Sequence, residues 1–168
     1  ALNMMDRLKI KNQEINSQSL KEMLGVIAVL PMSAHEKWGI DERDVIINPF
    51  PSWTIACWAF CIIPAKITHC DVVNVKFEPL KFWDVVEEVK PTVLTLAVGT
   101  WRILAKRRKP NLEFVRNFST GSAPVTDEDI LLMKSTGAQN VWNIYGSTEC
   151  IPPVMMSNGA VFNFKDSP

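Results

Sequence analysis

Asn143-Ile144-Tyr145-Gly146-Ser147-Thr148-Glu149 places an aromatic ring, a glycine, two hydroxyls and a carboxylate within seven residues. Each type has a use at a nucleotide site. A flat ring stacks on a base. A glycine lets backbone approach a ligand closely. A hydroxyl donates to a phosphate oxygen, and a carboxylate holds Mg2+ together with phosphates. The residues just before, from Gln139 to Ile144, read as a short strand, so the polar cluster falls beyond a carboxyl strand end. Open α/β sheets bind their ligands there. Taken alone, the pattern is also that of an ordinary strand, glycine turn and polar loop. A second loop, Thr120-Gly121-Ser122-Ala123-Pro124, follows the preceding strand. A right-handed crossover makes such strands neighbours, so both loops are expected on one sheet edge, with room for a flat ligand between them.

The elements that must position these loops read as follows. Residues 1–16 carry no clear pattern. Ser17 or Ser19 can cap a helix through Leu20 to Leu30, with Pro31 to kink or split it and a turn set from Ser33 to Trp38. Asp44 to Asn48 is a buried strand bounded by Pro49 and Pro51. Trp53 to Ile63 is apolar nearly all round, which predicts a buried helix ended by Pro64. Cys70 to Val75 is the next strand, and Pro79 opens a helix from Leu80 to Lys90. Thr92 to Val98 is a central strand, Trp101 to Lys109 a helix with a basic end, and Phe114 to Ser119 another strand. Thr126-Asp127-Glu128-Asp129 resembles a capping box and starts a helix to Ser135, stopped by Gly137. Residues 154–156 and 160–164 around Asn158-Gly159 fit a hairpin. Strand and helix alternate, which predicts an α/β fold: a doubly wound, mostly parallel sheet with helices on both faces, in a single domain over 1–168.

Bulk properties narrow the function classes. Hydrophobic content of 47% and charged content of 21% are those of a globular domain. Basic and acidic residues number 18 each, so the net charge is zero and the field of a nucleic-acid binder is missing. The six tryptophans are not interleaved with basic residues, which again argues against nucleic acid. The greasy part of the longest uncharged stretch, Trp53 to Ala65, is too short to span a bilayer, so no membrane span is expected. Cys57, Cys61, Cys70 and Cys150 lack the spacing of a disulfide scaffold, which points to a reducing, cytoplasmic setting. Cys57 and Cys61 lie one helical turn apart in an apolar helix and read as core packing. Lys106-Arg107-Arg108-Lys109 reads as a solvated helix end, with a phosphate contact as the alternative. His35 has no catalytic company in the sequence, and no G-x-S-x-G, G-x-G-x-x-G or complete Walker loop is present. The first residues carry no signal peptide, and the absence of an initial Met and of a closing element leads us to expect a piece of a longer protein.

The two loops together carry a resemblance. S-T-G-S-A-P at 119–124, a helix, then N-I-Y-G-S-T-E at 143–149 resembles the adenylate-forming superfamily of acyl- and aryl-CoA synthetases, luciferases and peptide-synthetase adenylation domains. Upstream, D-V-I-I-N-P-F-P-S-W at 44–53, F-E-P-L-K-F-W at 77–83 and P-T-V-L-T-L-A-V-G-T-W-R-I-L at 91–104 look like that family's segments in the same order. The resemblance covers roughly residues 40–150. It implies the following roles. Gly121, Ser122 and Ala123 line the adenine with backbone, Asn143 bonds the adenine amino group, and Tyr145 stacks on the base. Thr148 binds the α-phosphate and Glu149 the Mg2+, which makes these two the catalytic pair. Val98, Gly99 and Gly146 border an acyl or aryl pocket.

The resemblance implies the AMP-binding segment of a carboxylate–AMP ligase of the acyl-CoA synthetase kind. ATP/AMP and Mg2+ would be its cofactors, a small carboxylic acid its substrate, and coenzyme A or another thiol the acceptor. The alternative is a non-catalytic module that binds nucleotide or protein. The sequence departs from the family in four ways. The Ser/Thr/Gly-rich phosphate loop with its lysine, expected before residue 17 or so, is absent. The hinge and C-terminal domain, which belong to the expected rest of the chain, are absent too. Trp53-Thr54 stands near a usual histidine, and Gly99 stands at a frequent proline. Residues 1–168 alone are therefore expected to be inactive.

Overall fold

Short runs rich in β-branched and other apolar residues make the sheet. A computed structural model describes residues 38–146 and 155–162; the expected helix over 17–30, most of the turn set after it, Thr148 and Glu149 lie outside the described residues. The strands are β1 (Val45–Asn48), β2 (Asp71–Asn74), β3 (Val93–Ala97), β4 (Asn117–Gly121), β5 (Asn140–Tyr145) and β6 (Met155–Asn158). Their order across the sheet is β2-β1-β3-β4-β5-β6. β1 to β5 run parallel and β6 closes one edge antiparallel to β5. The sheet is thus mostly parallel, as the alternation of elements predicts.

Both faces are covered, which is why the central strands read as continuous apolar runs. On one face the registered row Ile47, Leu94, Phe118 and Val141 is fully buried. It packs under α2 (Phe82–Val89), α3 (Val98–Arg107) and α4 (Asp127–Lys134), through Phe82, Trp83, Val86, Trp101, Leu104, Ile130 and Met133. Trp101 meets Trp83 and Phe118 edge to face, with ring centroids 6.3 and 5.3 Å away. On the other face Ile46, Val93 and Ile144 pack with Trp38, Ile40 and the helix α1 (residues 55–68), through Ala59, Phe60 and Cys61. At the amino edge of the sheet, the buried Asp44 carboxylate accepts from Thr92 Oγ1 at 2.6 Å and is paired with Arg116, whose Nη1 also donates to the Gly39 carbonyl at 2.7 Å. This network stitches the starts of β1, β3 and β4 together.

Several boundaries depart from the sequence reading. α1 does not end before Pro64: it runs from Ile55–Cys57 through a π-helical turn, Trp58–Ile62, into Ile63–Thr68. In that turn the Ile63 N–H bonds the Trp58 carbonyl five residues back. Pro64 then sits in the first turn of the final segment, where its missing N–H costs little. Nor is the segment buried all round, since Trp53 is 85% exposed and Trp58 lies at the surface with its indole N–H on the Ser52 carbonyl. α2 starts at Phe82, after a turn closed by Lys81 N–H to the Glu78 carbonyl at 3.0 Å, so Pro79 lies in the turn and not in the helix. α3 follows β3 at once, three residues earlier than expected. β4 starts at Asn117: Leu112 and Val115 are buried, but from a turn beneath the sheet. β6 pairs with β5, not with the residues after Gly159; residues 163–164 lie outside the described residues.

Candidate functional site

β4 and β5 are parallel neighbours with Thr120 opposite Asn143, so their carboxyl ends emerge side by side. The loops that follow form the walls of a cleft of about 440 Å3. One wall is Ser122, Ala123, Pro124 and Val125; the other is Asn143, Ile144, Tyr145 and Gly146, and Phe162 completes the lining.

Tyr145 is still the last residue of β5, so Asn143 and Tyr145 project from the same side of one extended strand. Asn143 is 3% exposed, and its side-chain amide makes no hydrogen bond to another described residue. Tyr145 is 53% exposed, a large ring left open at the mouth. Thr120 Oγ1 is buried beside Asn143 and has no partner among the described residues. Buried polar groups normally find partners, so an amide and a hydroxyl that have none among the described residues, next to a cleft, are suited to bind a polar ligand.

The first wall is shaped by close approach. Gly121, the buried last residue of β4, does not line the cleft itself. A Cβ added there would lie 2.3 Å from the Ile144 carbonyl oxygen, so only glycine lets the two strand ends meet this tightly. Ser122 then takes a left-handed backbone, φ 73°, which turns the loop back over the cleft. Behind the wall, Arg102 on α3 forks onto Asp129, Nε to Oδ1 at 2.9 Å and Nη2 to Oδ2 at 2.6 Å, and Nη2 also reaches the Pro124 carbonyl at 3.1 Å. Asp129 Oδ2 accepts as well from Thr126 N at 2.9 Å and Thr126 Oγ1 at 2.8 Å, which completes the predicted capping box. These bonds, that of the Arg102 guanidinium first, pull the Asp129 carboxyl down to about 2. Sequence reading missed Arg102: nothing within its own helix marks its partner.

Val98 and Gly99 form the first turn of α3 and do not line this cleft. Ser147, Thr148 and Glu149 lie outside the described residues. A second cleft of about 470 Å3 opens at the carboxyl ends of β1 and β3, where the strand order reverses. Its lining is mostly apolar, with Pro49, Phe50 and Trp53 facing Leu96, Ala97 and Thr100, and Lys76 at its edge. Among the described residues no group of three or more His, Cys, Asp or Glu could hold a metal ion. Cys57, Cys61 and Cys70 are free and buried, and burial pushes the Cys61 thiol well above its ordinary range, as core packing requires. In the basic run, Arg108 is spent on Asp84 and Glu87 of α2. No helix among the described residues is long and apolar enough to cross a membrane.

Strand order and direction define an open α/β fold, and the cleft lies beyond the strand carboxyl ends, where folds of this kind bind their ligands. The chain belongs to the AMP-binding enzyme family, which matches residues 20–167, so the resemblance to adenylate-forming enzymes carried by the two motifs holds. No curated protein matches the sequence. Solved structures do. O-succinylbenzoate coenzyme A synthetase from Bacillus subtilis, in complex with ATP and magnesium ion, aligns with TM-score 0.66 and 17% identity over 75% of this chain and 26% of that one. The N-terminal domain of FACL13 from Mycobacterium tuberculosis aligns with TM-score 0.60 and 21% identity over 71% of this chain and 32% of that one. The adenylation domain of a keto acid-selecting NRPS module aligns with TM-score 0.63 and 14% identity, over 73% and 26% respectively. The likeness is one of fold, and the chain spans between 26% and 32% of these structures.

Proposed function

We infer that the cleft between the β4 and β5 loops takes the adenine of ATP, and that the chain is the AMP-binding segment of a carboxylate–AMP ligase of the acyl-CoA synthetase kind. The observation that carries the reading is the pairing of Asn143 and Tyr145 on one side of one strand, facing a backbone wall of small residues. A flat base fits between the Tyr145 ring and the Ser122-Ala123 backbone. The Asn143 amide carbonyl can accept from an adenine amino group, and guanine offers an acceptor at the same place. The reaction joins a carboxylate oxygen to the α-phosphorus of ATP, with loss of pyrophosphate; a thiol such as that of coenzyme A then takes the acyl group and AMP leaves.

Thr148 and Glu149 come after Gly146 and Ser147 in the sequence and are assigned, from the motif, to the α-phosphate and to Mg2+. Mg2+ when bound would supply positive charge against the phosphate oxygens, and a carboxylate is the donor type such an ion takes. The second, mostly apolar cleft at the strand-order reversal lies on the same sheet edge and is a candidate for the acid. A cytoplasmic location fits the free, buried cysteines.

Calorimetric titration of ATP and GTP tests the adenine assignment. Tyr145→Ala should weaken ATP binding by roughly 1–3 kcal/mol, the range for losing a base–aromatic stack. Asn143→Ala should narrow the gap between ATP and GTP, because it removes the group that tells them apart. Equal affinity for both nucleotides in the unsubstituted protein sinks the assignment.

A further inference from the structure

We propose that Arg102 is a positioning residue for the nucleotide cleft: from α3 it holds the Ser122–Pro124 wall at its working distance from β5, through the Pro124 carbonyl and the Asp129 carboxylate. The inference rests on reading the cleft as an adenine site.

Residues 122–125 lie outside every strand and helix, so no backbone ladder fixes them. Their two ends are pinned. Gly121 is pressed against the Ile144 carbonyl, and Thr126 is locked into the capping box with Asp129. Between the pins the chain carries Ser122 in a left-handed conformation, which persists only where the surroundings over-determine it. Arg102 supplies that constraint from outside the loop. Its three bonds, two to Asp129 and one to the Pro124 carbonyl, use the fixed fork of the guanidinium plane. The base of the fork is itself immobile. Trp101, the preceding residue, is fully buried between Trp83 and Phe118 and fixes this turn of α3 against the sheet. Position is therefore passed from the core, through Arg102, to the backbone that faces the base. A lysine keeps the charge but is a point donor, and it cannot hold both Asp129 oxygens and the Pro124 carbonyl at once.

The test uses the full chain with Arg102→Lys and, as a second variant, Arg102→Gln. ATP and GTP affinities are measured by calorimetry, and amide hydrogen exchange is followed by residue. Loss of a shared bond network of this kind should raise the ATP Kd on the order of ten-fold in Arg102→Lys and shrink the preference for ATP over GTP. Exchange should quicken at Ser122, Ala123 and Val125 and stay slow in β4 and β5. A merely structural role would instead speed exchange throughout both strands, and that pattern overturns the proposal. ATP affinity unchanged in both variants overturns it too, as does failure of both to fold. An unsubstituted protein with no preference for ATP defeats the adenine reading and this inference with it, whereas a preference for ATP that neither variant alters leaves that reading standing and removes only Arg102.

Discussion

Two glycines show how far one residue's role depends on what surrounds it. Gly121 ends β4 where an added Cβ would sit 2.3 Å from the Ile144 carbonyl oxygen, a backbone atom that cannot swing aside. Gly99 lies in the first turn of α3 with nothing within 4 Å of the same imagined atom. The same substitution must therefore act in opposite directions. Gly121→Ala forces β4 and β5 apart and should cost about 1–3 kcal/mol, the usual range for overpacking. Gly99→Ala relieves the entropy of a helical glycine and should stabilise by about 0.5–1 kcal/mol. Urea denaturation of both variants decides, and equal shifts would mean that the strand ends are less tightly joined than the geometry requires. Gly121→Ala should also weaken ATP binding, because the cleft wall hangs from that joint.

The link between α3 and α4 carries its own pH signature. Asp129 titrates at about 2 when folded, against an ordinary 3.8, chiefly because Arg102 donates to its carboxylate. A folded value below the unfolded one gives stability that is fully present above the unfolded value and is lost as pH falls through the folded one. The contribution should thus fade between pH 3.8 and about 2, and Asp129→Asn should flatten acid unfolding in that window when followed by circular dichroism. Elements of this kind were unequally legible in the sequence. The capping box at Thr126 was readable because all of its partners lie within four residues. The strand that carries Asn143 was readable from its own short run, and alternation, a local rule, puts Asn143 and Tyr145 on one side of it. Pro64 misled because a π-helical turn re-spaces the hydrogen bonds ahead of it, and neither composition nor periodicity encodes that turn. Phe114 and Val115 misled because apolar residues packed on the core need not be strand residues. The Arg102–Asp129 fork spans 27 residues, and amphipathic spacing shows that a charge points outward but not what it will meet.

Over the whole molecule, the two edges of the sheet divide the work. The amino edge is closed by a charged network in which Asp44, Thr92 and Arg116 hold three strands in register. The carboxyl edge is left open, with one cleft beyond β4 and β5 and another where the strand order reverses between β1 and β3. This arrangement puts two separate clefts above one sheet, one lined by Tyr145 and Asn143 and one mostly apolar. Binding a base and transferring its nucleotide are different demands, however. Transfer requires groups that stabilise charge on a triphosphate as it breaks, and such electrostatic help is usually the largest single contribution to rate. The 168 residues contain no glycine-rich loop bearing a lysine for that purpose. They also span only 26% of the synthetase with bound ATP that they resemble. Residues 1–168 should accordingly bind ATP in preference to GTP yet show no ATP–pyrophosphate exchange with any member of a panel of carboxylic acids. Exchange above blank would mean that the residues already present suffice to hold the triphosphate, and it would move the search for the charge-stabilising group to the basic side chains of this chain, starting with Lys76 beside the second cleft.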